Sequence, residues 1–285
     1  MTGRGLRTLD VVIAENPPRL VATDVDGTLL DDRDAVSPRT VAVISRLVAA
    51  GTGFVLVTGR PPRWIPPVAR KLPAGLVRVC VCANGAVTYD AVDDVLIGAH
   101  TLDPEAVRTL AAVSGELFPG CGIGVERVGN AVSGGVDEFL TGPGYVHAWG
   151  AHDGGEASHE EILARPVTKL LIRAPELTSE QMVDALAPKA DGLADLTFSH
   201  PSGLVEASAP GITKATGLAE VAEHLGVGAE ETIAFGDMPN DREMLRWAGI
   251  GVAMGNAHPD LVGLADEVTG PNSRDGIAEV LERWF

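Results

Sequence analysis

The sequence predicts an α/β fold: a parallel sheet with helices packed on it, interrupted midway by an inserted α+β unit. Three observations lead there. Short apolar runs at 20–25, 54–57 and 77–83 alternate with helix-like segments, the pattern of βαβ units. From about Ala86 the alternation gives way to pairs of strand-like runs and glycine-rich stretches. From about Leu204 it resumes. The parallel-sheet domain is therefore expected in two pieces, 1–87 and 204–285, with the insert at 88–203.

The elements follow in order. The first strand, 20–25, runs into Asp26-Gly27, a turn-forming pair. Ser37 is a good N-cap and Pro38 suits the first helical position. Val41, Ile44, Leu47 and Val48 then share one helix face, and Gly51 ends it. The run 54–57 is apolar throughout, as a strand covered on both faces is. A proline-broken helical stretch, 61–72, leads to the strand 77–83. Cys80 and Cys82 alternate on that strand and read as packing residues; three cysteines make no disulfide framework.

In the insert, 87–89 and 95–97 look like a hairpin, and Asp103-Pro104 opens a helix. Strand character returns at 123–128, 167–172 and 195–199. Thr178-Ser-Glu-Gln181 is a capping box. Residues 142–160 are rich in Gly, His and acids and have no period. After the insert come a helix at 213–225 stopped by Gly226, a strand at 232–235, a helix at 240–248, a strand at 251–254 and a last helix near 274–283.

A formal net charge of −17 argues against nucleic acid or an anionic membrane as partner. No stretch reaches the roughly 18 apolar residues of a membrane span. Residues 1–18 lack the apolar segment of a signal peptide, so a cytoplasmic protein is expected. A chain this acidic also repels phosphorylated metabolites, so any phosphate site has to carry its own positive charge.

Four motifs bear chemistry, each at a strand end or helix start. Asp24-Val-Asp26-Gly27-Thr28 places two carboxylates where open α/β sheets place their ligands. Gly236-Asp237-Met-Pro-Asn240-Asp241 supplies a second acidic pair after another strand. Carboxylates brought together repel one another, and a hard cation such as Mg²⁺ relieves the repulsion through oxygen ligands. The bland readings are an Asp-Gly turn for the first and a helix cap for the second. Thr58-Gly59-Arg60 offers a hydroxyl and backbone N–H groups to phosphate oxygens, or is an ordinary strand-to-helix turn. Lys214 opens a helix, against the macrodipole. A local conflict of that kind is expected at functional sites, and Lys214 would supply the missing positive charge. Its plain alternative is a solvated surface lysine.

In this order and spacing the motifs resemble the haloacid dehalogenase-like (HAD) hydrolase superfamily, and the insert resembles the type IIB cap of its Cof-type phosphatases. Ala83-Asn84-Gly85-Ala86 and the stretch 206–214 look like that group as well. The resemblance spans nearly the whole chain. It implies a Rossmann-like core and a phosphatase for a small phosphomonoester, a sugar phosphate or similar metabolite. Asp24 would be the nucleophile, forming a phospho-aspartate, and Asp26 the acid/base. Mg²⁺ would be held by Asp24, Asp26 (through its backbone carbonyl), Asp237 and Asp241. Gly27, Thr58, Gly59, Lys214 and Asn240 would contact phosphate. Arg60, Asn84, Tyr145, His147 and Trp149 are candidates for substrate specificity. Irregular spacing and the lack of a Cys partner disfavour zinc at His147, His152 and His159. A phosphomutase or phosphotransferase of the same fold is the alternative enzyme, and a Mg²⁺- and phosphate-binding sensor the non-enzymatic one.

Overall fold

A computed structural model describes residues 16–128, 139–148 and 154–285. Among them, fourteen strands form two sheets. In chain order the first sheet receives β1 (Leu20–Thr23), β2 (Gly53–Val57), β3 (Val79–Cys82), β4 (Val87–Asp90) and β5 (Val95–Ala99). The second sheet takes β6 (Gly122–Glu126), β7 (Phe139–Thr141), β8 (Gly155–Glu156), β9 (Lys169–Arg173), β10 (Asp195–Thr197) and β11 (Leu204–Ser208). The chain then returns to the first sheet with β12 (Thr232–Gly236), β13 (Ile250–Ala253) and β14 (Glu267–Val268).

The first sheet has the order β14-β13-β12-β1-β2-β3-β4-β5. Its strands run parallel from β14 to β3. The hairpin β4–β5 extends it antiparallel at one edge. β1 lies between β12 and β2, paired Leu20↔Thr232 on one side and Leu20↔Gly53 on the other. The chain leaves β1 toward one side of the sheet and comes back on the other, so the crevice over β1 and β12 is a topological switch point. Apolar side chains of both faces are buried in two clusters, one around Ile44, Leu56 and Phe235, the other around Val57, Leu218 and Met244. Helix Pro38–Ala49 contributes Val43, Ile44 and Leu47 to the first, and its Ser37 cap accepts from the Thr40 N–H.

The second sheet, in the order β10-β11-β9-β6-β7-β8, is antiparallel apart from β7 with β8. Helices Pro104–Leu117 and Ser179–Ala190 share with it a separate apolar core that includes Leu110, Ile172 and Leu186. Asp103 caps the first of these helices, and Thr178 with Gln181 forms the capping box of the second.

The two sheets divide at other positions than 88 and 203. The hairpin 87–99 belongs to the first sheet because β4 folds straight back on β3, Cys82 opposite Val87, and buries Tyr89. At the far side, β11 belongs to the second sheet, lying between β9 and β10 with all five residues buried. The helix 240–248 is a 3₁₀ turn, Pro239–Asp241, followed by a short α-helix, Arg242–Trp247. Residues 142–160 contain the short strand β8 and a helical turn, His159–Ile162, capped by Ser158. No described helix is long and apolar enough to cross a membrane.

Candidate active site

Asp24 follows β1 directly, and its N–H donates to Phe235 O of the neighbouring β12, 3.0 Å away. That bond aligns the two strand ends, so the loops beginning at Asp24 and at Asp237 open at the same height. Asp24 is 5% exposed, Asp237 6% and Asp241 0%. One carboxylate oxygen of each lies within 4.8 Å of those of the other two. Lys214, the first residue of helix Lys214–Leu225, is buried with them. Its Nζ donates to Asp24 Oδ1 and Asp241 Oδ1, both at 2.6 Å. The lysine at a helix start is thus not on the surface: it is the counterion of the acidic cluster.

Each acid has a different set of partners. Asp241 is fully engaged, with Oδ1 on Lys214 and Oδ2 accepting from the N–H groups of Asp237 and Met238 at 2.9 and 3.0 Å. It therefore shapes the loop that carries Asp237. Asp237 accepts from the Thr28 hydroxyl at 2.8 Å, which ties the second motif to the first. Gly27 has φ +73°, and any side chain there would overlap the Asp237 carboxylate. Burial pushes the Asp24 carboxyl well up, against the pull of Lys214, and Asp241, Asp237 and Asp26 push the same way. Asp237 is pushed up to about 7 by burial and by Asp241, opposed by the Thr28 hydroxyl and Lys214. Burial disfavours the Lys214 charge, but Asp24 and Asp241 outweigh it and hold the ammonium above its ordinary value.

One ammonium cannot balance three carboxylates in a buried site, and the upward shifts express the shortfall. The donors are all oxygen, with neither sulfur nor imidazole among them, which suits a hard divalent cation of the Mg²⁺ type. The residues present fit such an ion.

Asp26 lies apart from the cluster. Its side chain is 60% exposed and accepts two hydrogen bonds from Arg60, at 2.8 and 2.5 Å. Both residues border a cavity of about 560 Å³ that also reaches Asp24, Gly59 and Asn240. The opposite wall belongs to the second sheet, which contributes Glu126, Lys169, Leu171 and Glu206. Thr58 is fully buried at the end of β2, where its N–H donates to Val81 O at 2.8 Å and its hydroxyl accepts from the Arg60 N–H at 3.1 Å. Asn240 is buried beside Gly59 and donates to Asn84.

Of the candidate specificity residues, Arg60 lines this cavity. Asn84 lines a second cleft, of about 540 Å³, on the far side of Asn240. Tyr145 lies on the second sheet with its ring over Gly124, edge-on to Phe139 and His147 at centroid distances of 6.0 and 5.3 Å. Neither Tyr145 nor His147 borders the cavity over Asp24. Trp149 and His152 are outside the described residues. The sequence reading passed over Lys169 and Glu206 as site residues. They form an ion pair of 2.9 Å, both about as buried as the apolar side chains around them. The only signal was a lysine within the strand-like run 167–172, and no strand was read around Glu206.

The haloacid dehalogenase-like hydrolase family matches residues 21–281. A 5-amino-6-(5-phospho-D-ribitylamino)uracil phosphatase of Bacillus subtilis is 32% identical over 273 residues, 95% of this chain and 99% of the relative. An HMP-PP phosphatase of Cronobacter sakazakii is 29% identical over 94% of this chain and 96% of its own. Among solved structures, a sugar phosphatase of HAD subclass IIB superposes with TM-score 0.77 at 25% identity, covering 93% of this chain and 98% of that one.

Proposed function

The chain belongs to the haloacid dehalogenase-like hydrolase family, and we propose that it is a Mg²⁺-dependent phosphatase of a small phosphorylated metabolite, working through a phospho-aspartate on Asp24. The observation that carries this reading is the buried contact of Asp24 with Lys214 at the switch point, two residues before an acid that faces an open cavity. Phosphatase names among the relatives, for a phosphoribityl substrate and for HMP-PP, support the substrate class.

In this mechanism Lys214 holds one Asp24 oxygen and leaves Oδ2 to attack phosphorus. The P–O bond to the leaving group breaks as the Asp24–phosphorus bond forms, and Asp26, which has to be protonated and released from Arg60 when the substrate is bound, gives the departing alkoxide its proton. Asp26 then takes a proton from water, whose oxygen attacks the acyl phosphate, releasing inorganic phosphate and regenerating the Asp24 carboxylate. Arg60 orients Asp26 over the cavity. Thr58, Lys214, Asn240 and the backbone N–H groups near Gly27 and Gly59 receive the phosphate oxygens. Asp24, Asp237 and the Asp26 carbonyl, with Asp241 as support, would hold Mg²⁺, which would supply positive charge to the phosphoryl group. Phosphoryl transfer depends chiefly on such positioning and charge neutralisation. The second sheet acts as a cap, dividing the chain at about 100 and about 210 into core and cap, and its face over the cavity meets the leaving group.

The test is phosphate release from a panel of phosphomonoesters with Mg²⁺, run with and without an acceptor sugar. Release into water supports the reading. Phosphate recovered on the acceptor alone identifies a transferase, and no turnover of any panel member removes the phosphatase assignment.

A further inference from the structure

A line of hydrogen bonds runs from the second sheet to Asn240, and its direction is set at the sheet end. Glu206, in the middle of β11, accepts from Lys169 Nζ at 2.9 Å and from Asn84 Nδ2 at 3.1 Å. A carboxylate paired with an ammonium has no proton to donate, so Asn84 has to turn its NH₂ toward it. The Asn84 carbonyl then faces Asn240, which donates its own Nδ2 at 3.1 Å. The Asn240 Oδ1 is left buried without a partner. An orphaned buried acceptor is unfavourable, so the orientation that produces it is imposed from outside Asn240.

The backbone bears the same mark. Ala83 and Asn84 are consecutive non-glycine residues at φ +50° and +58°. Side chains seldom adopt that region, and two in succession have to be held there. The Asn84 N–H donates to Thr58 O at 3.0 Å and the Ala83 N–H to Arg60 O at 2.9 Å, fixing the turn against the Thr58–Arg60 loop. Lys169 adds a second tie by donating to Gly59 O at 2.6 Å. The cap therefore grips the phosphate-facing loop directly and Asn240 through one intermediary.

We propose that Glu206 sets the hydrogen-bond polarity of Asn240 through Asn84, so that with the cap seated the Asn240 NH₂ stays on the Gly59 side, one N–H on Asn84 and the other free for a phosphate oxygen. Glu206 and Asn84 are positioning residues in this scheme, and seating the cap and binding phosphate become linked equilibria. The proposal rests on the reading of Asn240 as a phosphate contact.

The test is the Kd for inorganic phosphate, measured by calorimetry on the full chain with Mg²⁺, alongside the melting temperature. In Glu206→Gln Lys169 holds the introduced carbonyl and the new NH₂ faces Asn84, so the polarity of the line is reversed and phosphate binding weakens about tenfold or more. In the double variant Glu206→Gln with Asn84→Asp, the glutamine donates to the new carboxylate, which also accepts from Asn240. The original order returns with the local charge unchanged, and most of the lost affinity returns with it. A role in packing alone predicts no such rescue. Asn84→Gly removes the middle link while tolerating the positive φ, so it tests the line even if the glutamine variant fails to fold, and it should weaken phosphate binding to a similar degree. Wild-type affinity in Glu206→Gln or in Asn84→Gly overturns the proposal, as does a folded double variant that stays weak. Absence of phosphate binding in the wild-type protein would instead overturn the phosphatase reading itself.

Discussion

Asp24 and Lys214 stand 190 residues apart in the chain and 2.6 Å apart in the fold. Replacing Asp24 by Asn removes the proposed nucleophile, and turnover measured by phosphate release should fall by about 10⁴-fold or more with the melting temperature little changed. Lys214→Met leaves two buried carboxylates without their counterion. It should destabilise the chelated protein by about 3–5 kcal/mol in denaturant titration, and Mg²⁺ should recover part of that loss. Asp24 was legible in the sequence because a short polar motif follows an apolar strand, and Lys214 because a lysine at a helix start opposes the macrodipole. Glu206 and Lys169 were not. A charge inside a buried strand reads as an irregularity until its partner on another strand is known, and β9 and β11 are separated by the thirty residues 174–203.

At the level of elements, local rules placed most helices and the central strands correctly. Thr178 and Gln181 form the capping box that their spacing implied, and Thr178→Ala should lower stability by about 1 kcal/mol, read from denaturant unfolding. The β4–β5 hairpin and β11 show where local rules stop. A hairpin following a parallel strand can extend that sheet or begin a new layer, and its own residues suit either. Burial of Tyr89 against the first core decides the matter. β11 is preceded by Pro201-Ser-Gly203 and has Glu206 at its centre, so it lacks a continuous apolar run. Its place is fixed by pairing with β9 and β10.

For the whole molecule, the consequence of the acidic cluster is a stability that depends on cation and pH together. Asp237 lies at about 7 against an ordinary 3.8, and Asp24 is displaced in the same direction. Between those values the folded, metal-free protein keeps a proton that the unfolded chain has released. The associated stability is fully present below about pH 4 and is lost as pH rises toward about 7. The rise in Tm from EDTA to excess Mg²⁺ should therefore be small near pH 5 and larger near pH 8. A rise of equal size at both ends would contradict this account of the cluster. EDTA should also abolish phosphate release, and added Mg²⁺ should restore it.

The pairing of β1 with β12 carries one more implication. The strand that brings Asp24 leaves the ribosome first, and the strand that brings Asp237 only about 200 residues later. Until then the first acid has neither its lysine nor its acidic neighbours. The acidic cluster therefore assembles only after both of these strands have been made, and a chain stopped between them lacks the site as a whole.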